Sequence, residues 1–172
     1  MKTLRALTGT LWVGALLATI SSCTQSPASV GERAPPTRLV SRDPLVVEVR
    51  LATDGDRMAF DFETFEVPAG AEVRLVFKNT AQKPMFHNWV LVTKGSEEAV
   101  LGEALQAGYE RAWVSAHPAV LAATGAPRPG EESSVTFSAP PPGVYPYLCT
   151  VPGHAFMRGR MIVRAPSVRR RS

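Results

Sequence analysis

Short segments of alternating hydrophobic and polar residues fill much of the chain after residue 44, and turn residues separate them. From Leu45 onward every second residue is apolar, and later segments repeat this period of two. Such alternation is typical of strands that bury one face. The segment 86–93 (FHNWVLVT) is more uniformly apolar, which favours a central strand. The predicted strands are 45–51, 58–63, 73–78, 86–93, 134–138, 144–150 and 158–164.

The hydrophobic period changes between residues 96 and 130. Apolar residues lie at helical spacing from Ala99 to Leu105, directly after Ser96-Glu97-Glu98, and this order predicts a helix that begins near Ser96. Proline and glycine interrupt the rest of the segment, which we interpret as a long excursion. Many short strands with one helical segment indicate an all-β sandwich or barrel that carries a helical insertion.

The first 23 residues have the plan of a bacterial lipoprotein signal. Lys2 and Arg5 precede an apolar run at 7–20, which is typical of a secretory signal and too short for a comfortable membrane span. The run ends in Ile20-Ser21-Ser22-Cys23, which resembles a lipobox, where cleavage precedes a cysteine that becomes lipidated. We therefore predict a signal peptide at 1–22 and a lipid on Cys23. The alternative is that Cys23 remains a free or disulfide-bonded thiol.

Three further segments follow the signal peptide. Residues 23–43 are rich in serine, proline, alanine and arginine without a hydrophobic period, which predicts a flexible linker. Residues 44–165 are long enough for one domain with its own core, and residues 166–172 form a basic tail. We therefore expect an exported domain, held by the lipid to a membrane and facing the periplasm or the cell exterior.

The positive net charge does not indicate a nucleic-acid-binding protein. The chain has 19 basic and 15 acidic residues, but Lys2, Arg5 and the arginines at 169–171 lie outside the predicted domain. The domain is close to neutral and has no basic stripe interleaved with stacking aromatic residues. Nucleic acid is therefore not an expected partner.

The two cysteines lie in different environments. If Cys23 is lipidated, no disulfide can form in the mature chain, even though exported proteins often contain them. Cys149 is then a lone thiol in an oxidising compartment, where an exposed thiol is liable to oxidation. Metal ligation would explain its presence.

The segment from Cys149 to Met157 combines a thiol, an imidazole and a thioether in nine residues that join two predicted strands. Copper selects such ligands: a trigonal set of one thiolate and two imidazoles, with a weak axial thioether, is the blue-copper electron-transfer site. His87 supplies the second imidazole from a strand far upstream. A single histidine or methionine in an apolar strand usually serves packing, but this combination favours one copper ion. His117 has no such neighbours and is predicted to be a surface residue.

Two segments, 85–92 (MFHNWVLV) and 149–154 (CTVPGH), resemble the azurin and auracyanin branch of the cupredoxins, and the resemblance extends over about 45–163. It implies a cupredoxin-like Greek-key β-sandwich of about seven to eight strands with the helical insertion around residues 96–130.

The resemblance also implies roles for single residues. The equatorial copper ligands would be His87, Cys149 and His154, and the axial ligand would be Met157. Asn88 would be the residue that braces the ligand loop. Two residues separate His154 from Met157, as in the amicyanin loop, where azurins have three and auracyanins four. Position 86 is phenylalanine where azurins have glycine, and the Phe86 carbonyl is a further, weak axial candidate.

These features predict a one-electron carrier rather than an enzyme, with no small-molecule substrate. Its expected partners are redox proteins, such as a cytochrome, an oxidase or another membrane electron-transfer complex. By the resemblance, the edge of His154 reaches the surface inside an apolar docking patch. The patch consists of Met85, Val151, Pro152, Ala155 and Phe156.

Two other functions fit the sequence less well. A copper oxidase or nitrite reductase needs further copper centres, and His117 is the only other histidine in the chain. The second alternative is a non-redox lipoprotein that delivers or scavenges copper. It would have an open site that loses Cu(I) rapidly to a chelator.

Overall fold

The computed structural model describes residues 45–165, which form eight strands, one α-helix and one short 3₁₀-helix. In chain order the strands are β1 (Val46–Ala52), β2 (Thr64–Pro68), β3 (Glu72–Lys78), β4 (Val90–Val92), β5 (Val120–Ala123), β6 (Glu132–Ser138), β7 (Gly143–Leu148) and β8 (Arg158–Arg164). Helix α1 (Glu97–Ala107) and the 3₁₀-helix (Tyr109–Arg111) lie between β4 and β5. Within residues 45–165, no helix has the length and apolar character needed to cross a membrane.

The strands form two sheets, and the predicted all-β sandwich with a helical insertion is confirmed. One sheet has the order β1-β3-β6 and the other the order β2-β8-β7-β4-β5. β1 pairs with β3 and β2 pairs with β8 in parallel, while the other pairings are antiparallel. Because a hairpin cannot join parallel neighbours, the chain passes from the first sheet to the second and back between β1 and β3.

One large hydrophobic cluster joins the two sheets. Phe77, Trp89 and Tyr147 are completely buried, and Phe137 is partly buried. The Tyr147 ring lies 5.0 Å from the ring of Phe60 and 5.8 Å from that of Trp89. Cys149 and Met157 belong to the same cluster, so the ligand loop continues the core rather than lying on its surface.

The prediction of a strand at 58–63 is wrong. Only an isolated bridge between Thr53 and Phe60 forms there, and β2 begins after it. The Asp61 carboxylate accepts the Ala52 backbone N–H at 2.8 Å, so a side chain takes a donor that strand pairing would use. The alternation at 58–63 does not reflect a strand with one buried apolar face. Phe60 is buried, but the other two apolar residues of the pattern, Met58 and Phe62, are exposed.

The strand predicted at 86–93 is shorter than expected, since only Val90–Val92 pairs in the sheet. The Trp89 N–H donates to the Thr124 hydroxyl at 3.0 Å instead of to a strand. The strand predicted at 144–150 likewise ends at Leu148. His87 and Cys149 therefore lie in irregular backbone just beyond the strands, where their side chains are free to turn toward each other.

The insertion contains the predicted helix and also a strand that was not predicted. Helix α1 buries Val100 and Ala104, and Val100 packs with Val90, Val92 and Leu148. The hydroxyl of Ser96 donates to the Thr93 carbonyl and does not cap the helix. β5 adds to the edge of the larger sheet by pairing with β4. Its four residues, VLAA, are too few and too uniform to show a strand period.

Candidate metal centre

His87, Cys149 and His154 converge at one end of the sandwich. The Cys149 Sγ lies 4.0 Å from the His87 Nδ1 and 3.5 Å from the His154 Nδ1. The two imidazole rings are 4.5 Å apart between centroids and inclined by 30°. Among residues 45–165, these three form the group of potential metal ligands whose donor atoms all lie within 4.8 Å of one another.

The spacing of these donor atoms fits a single metal ion. Metal–nitrogen and metal–thiolate bonds of about 2.0–2.3 Å in a trigonal arrangement place the sulfur about 3.8 Å from each nitrogen. The two observed distances, 3.5 and 4.0 Å, lie on either side of this value. The donor set of one thiol and two imidazoles is the one that copper prefers.

Burial dominates the electrostatics of the three side chains. His87 and Cys149 have no exposed surface, and His154 is 7% exposed. Burial, with a smaller contribution from His154, lowers the pKa of His87 to about 4, and burial also lowers the pKa of His154. Both imidazoles are therefore neutral near pH 7 and have lone pairs available for a metal.

Burial raises the pKa of the Cys149 thiol to about 11, although hydrogen bonds from the backbone amides of Asn88 and Val151 oppose the rise. The metal-free thiol is therefore protonated near pH 7. Since a cysteine ligates as its thiolate, metal binding must release this proton.

A tight loop holds the second half of the site. The His154 N–H donates to the Val151 carbonyl at 3.0 Å, and the Met157 N–H donates to the His154 carbonyl at 2.9 Å. The Cys149 N–H closes the loop by donating to the Met157 carbonyl at 3.0 Å. Gly153 has a φ of 86°, a conformation that side chains with a Cβ rarely adopt. The Met157 side chain is completely buried beside Cys149 in the core cluster.

Asn88 links the two ligand segments. Its Nδ2 donates to the Thr150 Oγ1 at 2.8 Å, and its Oδ1 accepts the Thr150 N–H at 2.8 Å. Asn88 directly follows His87, and Thr150 directly follows Cys149. This reciprocal pair, which is buried, therefore sets the separation of the two ligands.

The residues predicted for the docking patch differ in exposure. Phe156 is 93% exposed, Pro152 is exposed, and Met85 and Ala155 are half-buried. Val151 is 8% exposed, about as little as His154, so it adds little area to the patch. Its side chain packs in the core cluster, and its carbonyl accepts the His154 N–H.

Two further residues singled out in the sequence, Phe86 and His117, make other contacts. Phe86 is half-buried, and its ring packs against Tyr109 and Trp113 at 5.3 and 6.0 Å between centroids. His117 is half-buried and outside the site, where its Nδ1 accepts the Ala119 N–H. Cys23 lies outside the described residues.

Sequence reasoning missed one part of the site. Backbone carbonyls of Ala112 and Trp113, in the insertion, accept hydrogen bonds from Asn88 and Thr150. No motif could have identified them, because every residue has a carbonyl and only the fold brings these two to the ligand segments.

Comparison with known proteins agrees with this geometry. Residues 47–164 match the family described as copper binding proteins, plastocyanin/azurin family. Auracyanin-A of Chloroflexus aurantiacus is 36% identical over 68% of this chain and 74% of its own length. Auracyanin-B of the same organism is 41% identical over 68% of this chain, which spans 51% of that relative.

The fold of a solved relative matches as well. The structure of auracyanin A, described as a "blue" copper protein from Chloroflexus aurantiacus, superposes with a TM-score of 0.65 at 35% identity. The match covers 69% of this chain and 99% of the other. The resemblance read from the ligand segments is thus confirmed, and this chain belongs to the plastocyanin/azurin family of copper binding proteins.

Proposed function

We propose that this protein is a type 1 (blue) copper protein that carries one electron at a time between membrane-associated redox partners. The observation that carries the proposal is the convergence of one thiol and two neutral imidazoles in a buried pocket of a copper-binding fold. The description of auracyanin A as a blue copper protein supports it. Copper, when bound, supplies the chemistry by alternating between two oxidation states.

In this proposal His87, Cys149 and His154 would be the strong copper ligands, and Met157 would be a weak fourth ligand. Met157 is the nearest methionine in sequence to the ligand loop, is completely buried, and is tied to Cys149 through its backbone carbonyl. The Phe86 carbonyl would be the alternative weak ligand. Asn88 holds the two ligand segments at a constant separation.

A rigid surrounding suits electron transfer, because little must move when the charge of the site changes. The ligands come from the ends of β7 and β8 and from the segment before β4, three strands of one sheet. The hydrogen bonds of the loop from Val151 to Met157 restrict the backbone further. The protein therefore contributes preset ligand positions and excludes water.

His154 is the route to the surface in this proposal, because it is the only one of the three ligands with measurable exposure. The apolar side chains of Pro152, Ala155 and Phe156 surround it along the loop. A small apolar surface of this kind suits the brief docking of an electron-transfer partner. The lipid on Cys23 would confine the encounter to the membrane surface.

The alternative function, copper delivery or scavenging, requires ligands that an acceptor can reach. Two of the three ligands are completely buried, and the third is 7% exposed. This burial favours a carrier that keeps its copper through both oxidation states. We expect a Cu(I) chelator to remove copper slowly from the reduced wild-type protein.

The visible spectrum of the copper-loaded protein tests the proposal. We expect the oxidised protein to be blue through charge transfer from the Cys149 thiolate, and to lose the colour reversibly on one-electron reduction. Cys149→Ser should abolish the colour and retain the β-sheet circular dichroism. His117→Gln is the matched control, since His117 lies outside the site, and it should remain blue. A colourless Cu(II) complex of the wild type would exclude a type 1 site.

A further inference from the structure

The insertion turns back toward the metal centre through a corner formed by Ala112 and Trp113. Both residues have a positive φ, 52° and 55°, although neither is glycine. Left-handed backbone costs about 1–3 kcal/mol for each such residue and persists where the surrounding structure enforces it. Two consecutive residues in this conformation therefore require a strong local reason.

Hydrogen bonds to the two ligand segments provide that reason. The Ala112 carbonyl accepts from the Asn88 Nδ2 at 2.7 Å. The Trp113 carbonyl accepts from the Thr150 Oγ1 at 2.7 Å. Asn88 and Thr150 are the buried pair that already bond to each other, so the corner completes a closed network around the residues next to His87 and Cys149.

Local packing fixes the corner from the other side. The Trp113 N–H donates to the Gly108 carbonyl and the Ala112 N–H to the Tyr109 carbonyl, both at 2.8 Å. The rings of Tyr109 and Trp113 pack on each other and on Phe86, the residue before His87. The corner is thus fixed within the insertion, and it contacts Phe86 and Asn88, the residues on either side of His87.

We propose that the Ala112–Trp113 corner is a positioning element that holds Asn88 and Thr150, and through them His87 and Cys149, at metal-binding separation before copper arrives. This inference rests on the proposed function only in naming the metal as type 1 copper. It assigns a role to the insertion between β4 and β5.

The network also holds the backbone next to the sulfur, because the Asn88 side chain bonds to both the hydroxyl and the amide of Thr150, which directly follows Cys149. The surroundings of a copper-bound thiolate tune its reduction potential. Loosening the network should therefore shift the potential.

Amide hydrogen exchange and redox titration of the whole domain test the proposal. Thr150→Val keeps the side-chain shape but removes the hydroxyl that accepts from Asn88 and donates to Trp113. Thr150→Ser restores a hydroxyl, and Ser115→Ala is the control. Ser115 is buried in the same insertion but donates to Glu103, away from the ligands.

We expect Thr150→Val to speed exchange of the Asn88 and Thr150 amides in the metal-free protein by about tenfold, as loss of a buried hydrogen bond predicts. The loaded variant should have a shifted reduction potential and an altered visible spectrum. Thr150→Ser should retain wild-type values, and Ser115→Ala should change neither readout.

Equal potentials and exchange rates in wild type and Thr150→Val would overturn the proposal, as would a Ser115→Ala effect of the same size. If Thr150→Val does not fold, hydrogen exchange of the metal-free wild-type protein tests the proposal by itself. Its Asn88 and Thr150 amides should be protected like those of β3, and loop-like exchange would overturn the proposal. Because that measurement needs no copper, its failure in a protein that is blue leaves the proposed function intact.

Discussion

His87, Cys149 and His154 converge on one point, yet their exposure differs. Burial makes both histidines neutral and the cysteine protonated in the metal-free protein, as the directions of their pKa values indicate. The side chain of Met157 is equally buried, but its thioether has no charge that burial could alter. Two predictions follow from these differences between single residues.

The first concerns the axial position. Met157→Gln should keep a blue site, because the three strong ligands remain, and should shift the reduction potential, because the axial ligand tunes it. Cyclic voltammetry of the loaded protein measures this shift. Met58→Gln is the control, the same substitution at a methionine that is 42% exposed and outside the core cluster. A potential unchanged by Met157→Gln would assign the axial position to another group.

The second concerns acid stability of the metal-free protein. The pKa of His87 is about 4 when folded and about 6.5 when unfolded, so the unfolded state binds more protons between these values. The free energy of unfolding should therefore fall as the pH falls from about 6.5 to about 4, by on the order of 3 kcal/mol from His87. Urea titrations at several pH values measure it.

The control for this effect is His87→Gln, which removes the titrating group. We expect the unfolding free energy of the variant to fall less over the same pH interval. Parallel pH dependences in the two proteins would mean that the carboxylates or His154 cause the loss instead.

At the scale of secondary structure elements, the pairing of β7 with β8 supports the ligand loop between them. Tyr147 and Gly159 are partners in this pairing, and the Tyr147 ring covers Gly159. The phenol hydroxyl of Tyr147 donates a hydrogen bond to the Phe62 carbonyl. Glycine at 159 is therefore required for close approach and not for an unusual backbone conformation.

Gly159→Ala should be strongly destabilising, because the new methyl group would overlap the buried Tyr147 ring. We expect a loss of about 3 kcal/mol in the free energy of unfolding, measured by urea denaturation. Gly102→Ala is the matched control, since it lies in α1 with open space around the added Cβ. It should stabilise the protein by about 1 kcal/mol through helix propensity. A Gly159→Ala protein as stable as the wild type would contradict the tight packing of β7 on β8.

At the scale of the whole molecule, the predicted anchor and the copper domain lie at different places in the chain. Cys23 precedes the described residues, and the domain over 45–165 holds the ligands. We expect the mature protein to begin at Cys23, carry more than one acyl chain, and partition with membranes, because a single chain binds only marginally.

Cys23→Ala should release the protein from the membrane fraction or block its processing, as fractionation and mass spectrometry would detect. Cys149→Ser is the control, because it alters the other cysteine of the chain and should leave partitioning unchanged. An unmodified thiol at Cys23 in the mature wild-type protein would contradict the lipid anchor.

The strand bounds were predicted well where the hydrophobic pattern of a segment reflects the face that the fold buries. Strand β8 follows the predicted bounds, and β1, β3 and β6 differ from prediction by one or two residues, because one buried face imposes a period of two. The prediction failed where side chains replace backbone partners, as with Asp61 near 58–63, and where β5 was too short to show a period.

The sequence by itself identified the potential metal ligands His87, Cys149 and His154, because thiol and imidazole groups are properties of residue types and the spacing of Cys149 and His154 is local. It also determined the family, through two short segments that surround these donors. Only the tertiary structure decided which distant backbone groups hold the ligands in place. The Ala112 and Trp113 carbonyls, the burial of Val151 and the contact of Tyr147 with Gly159 all depend on residues far apart in the chain, and only packing brings such residues together.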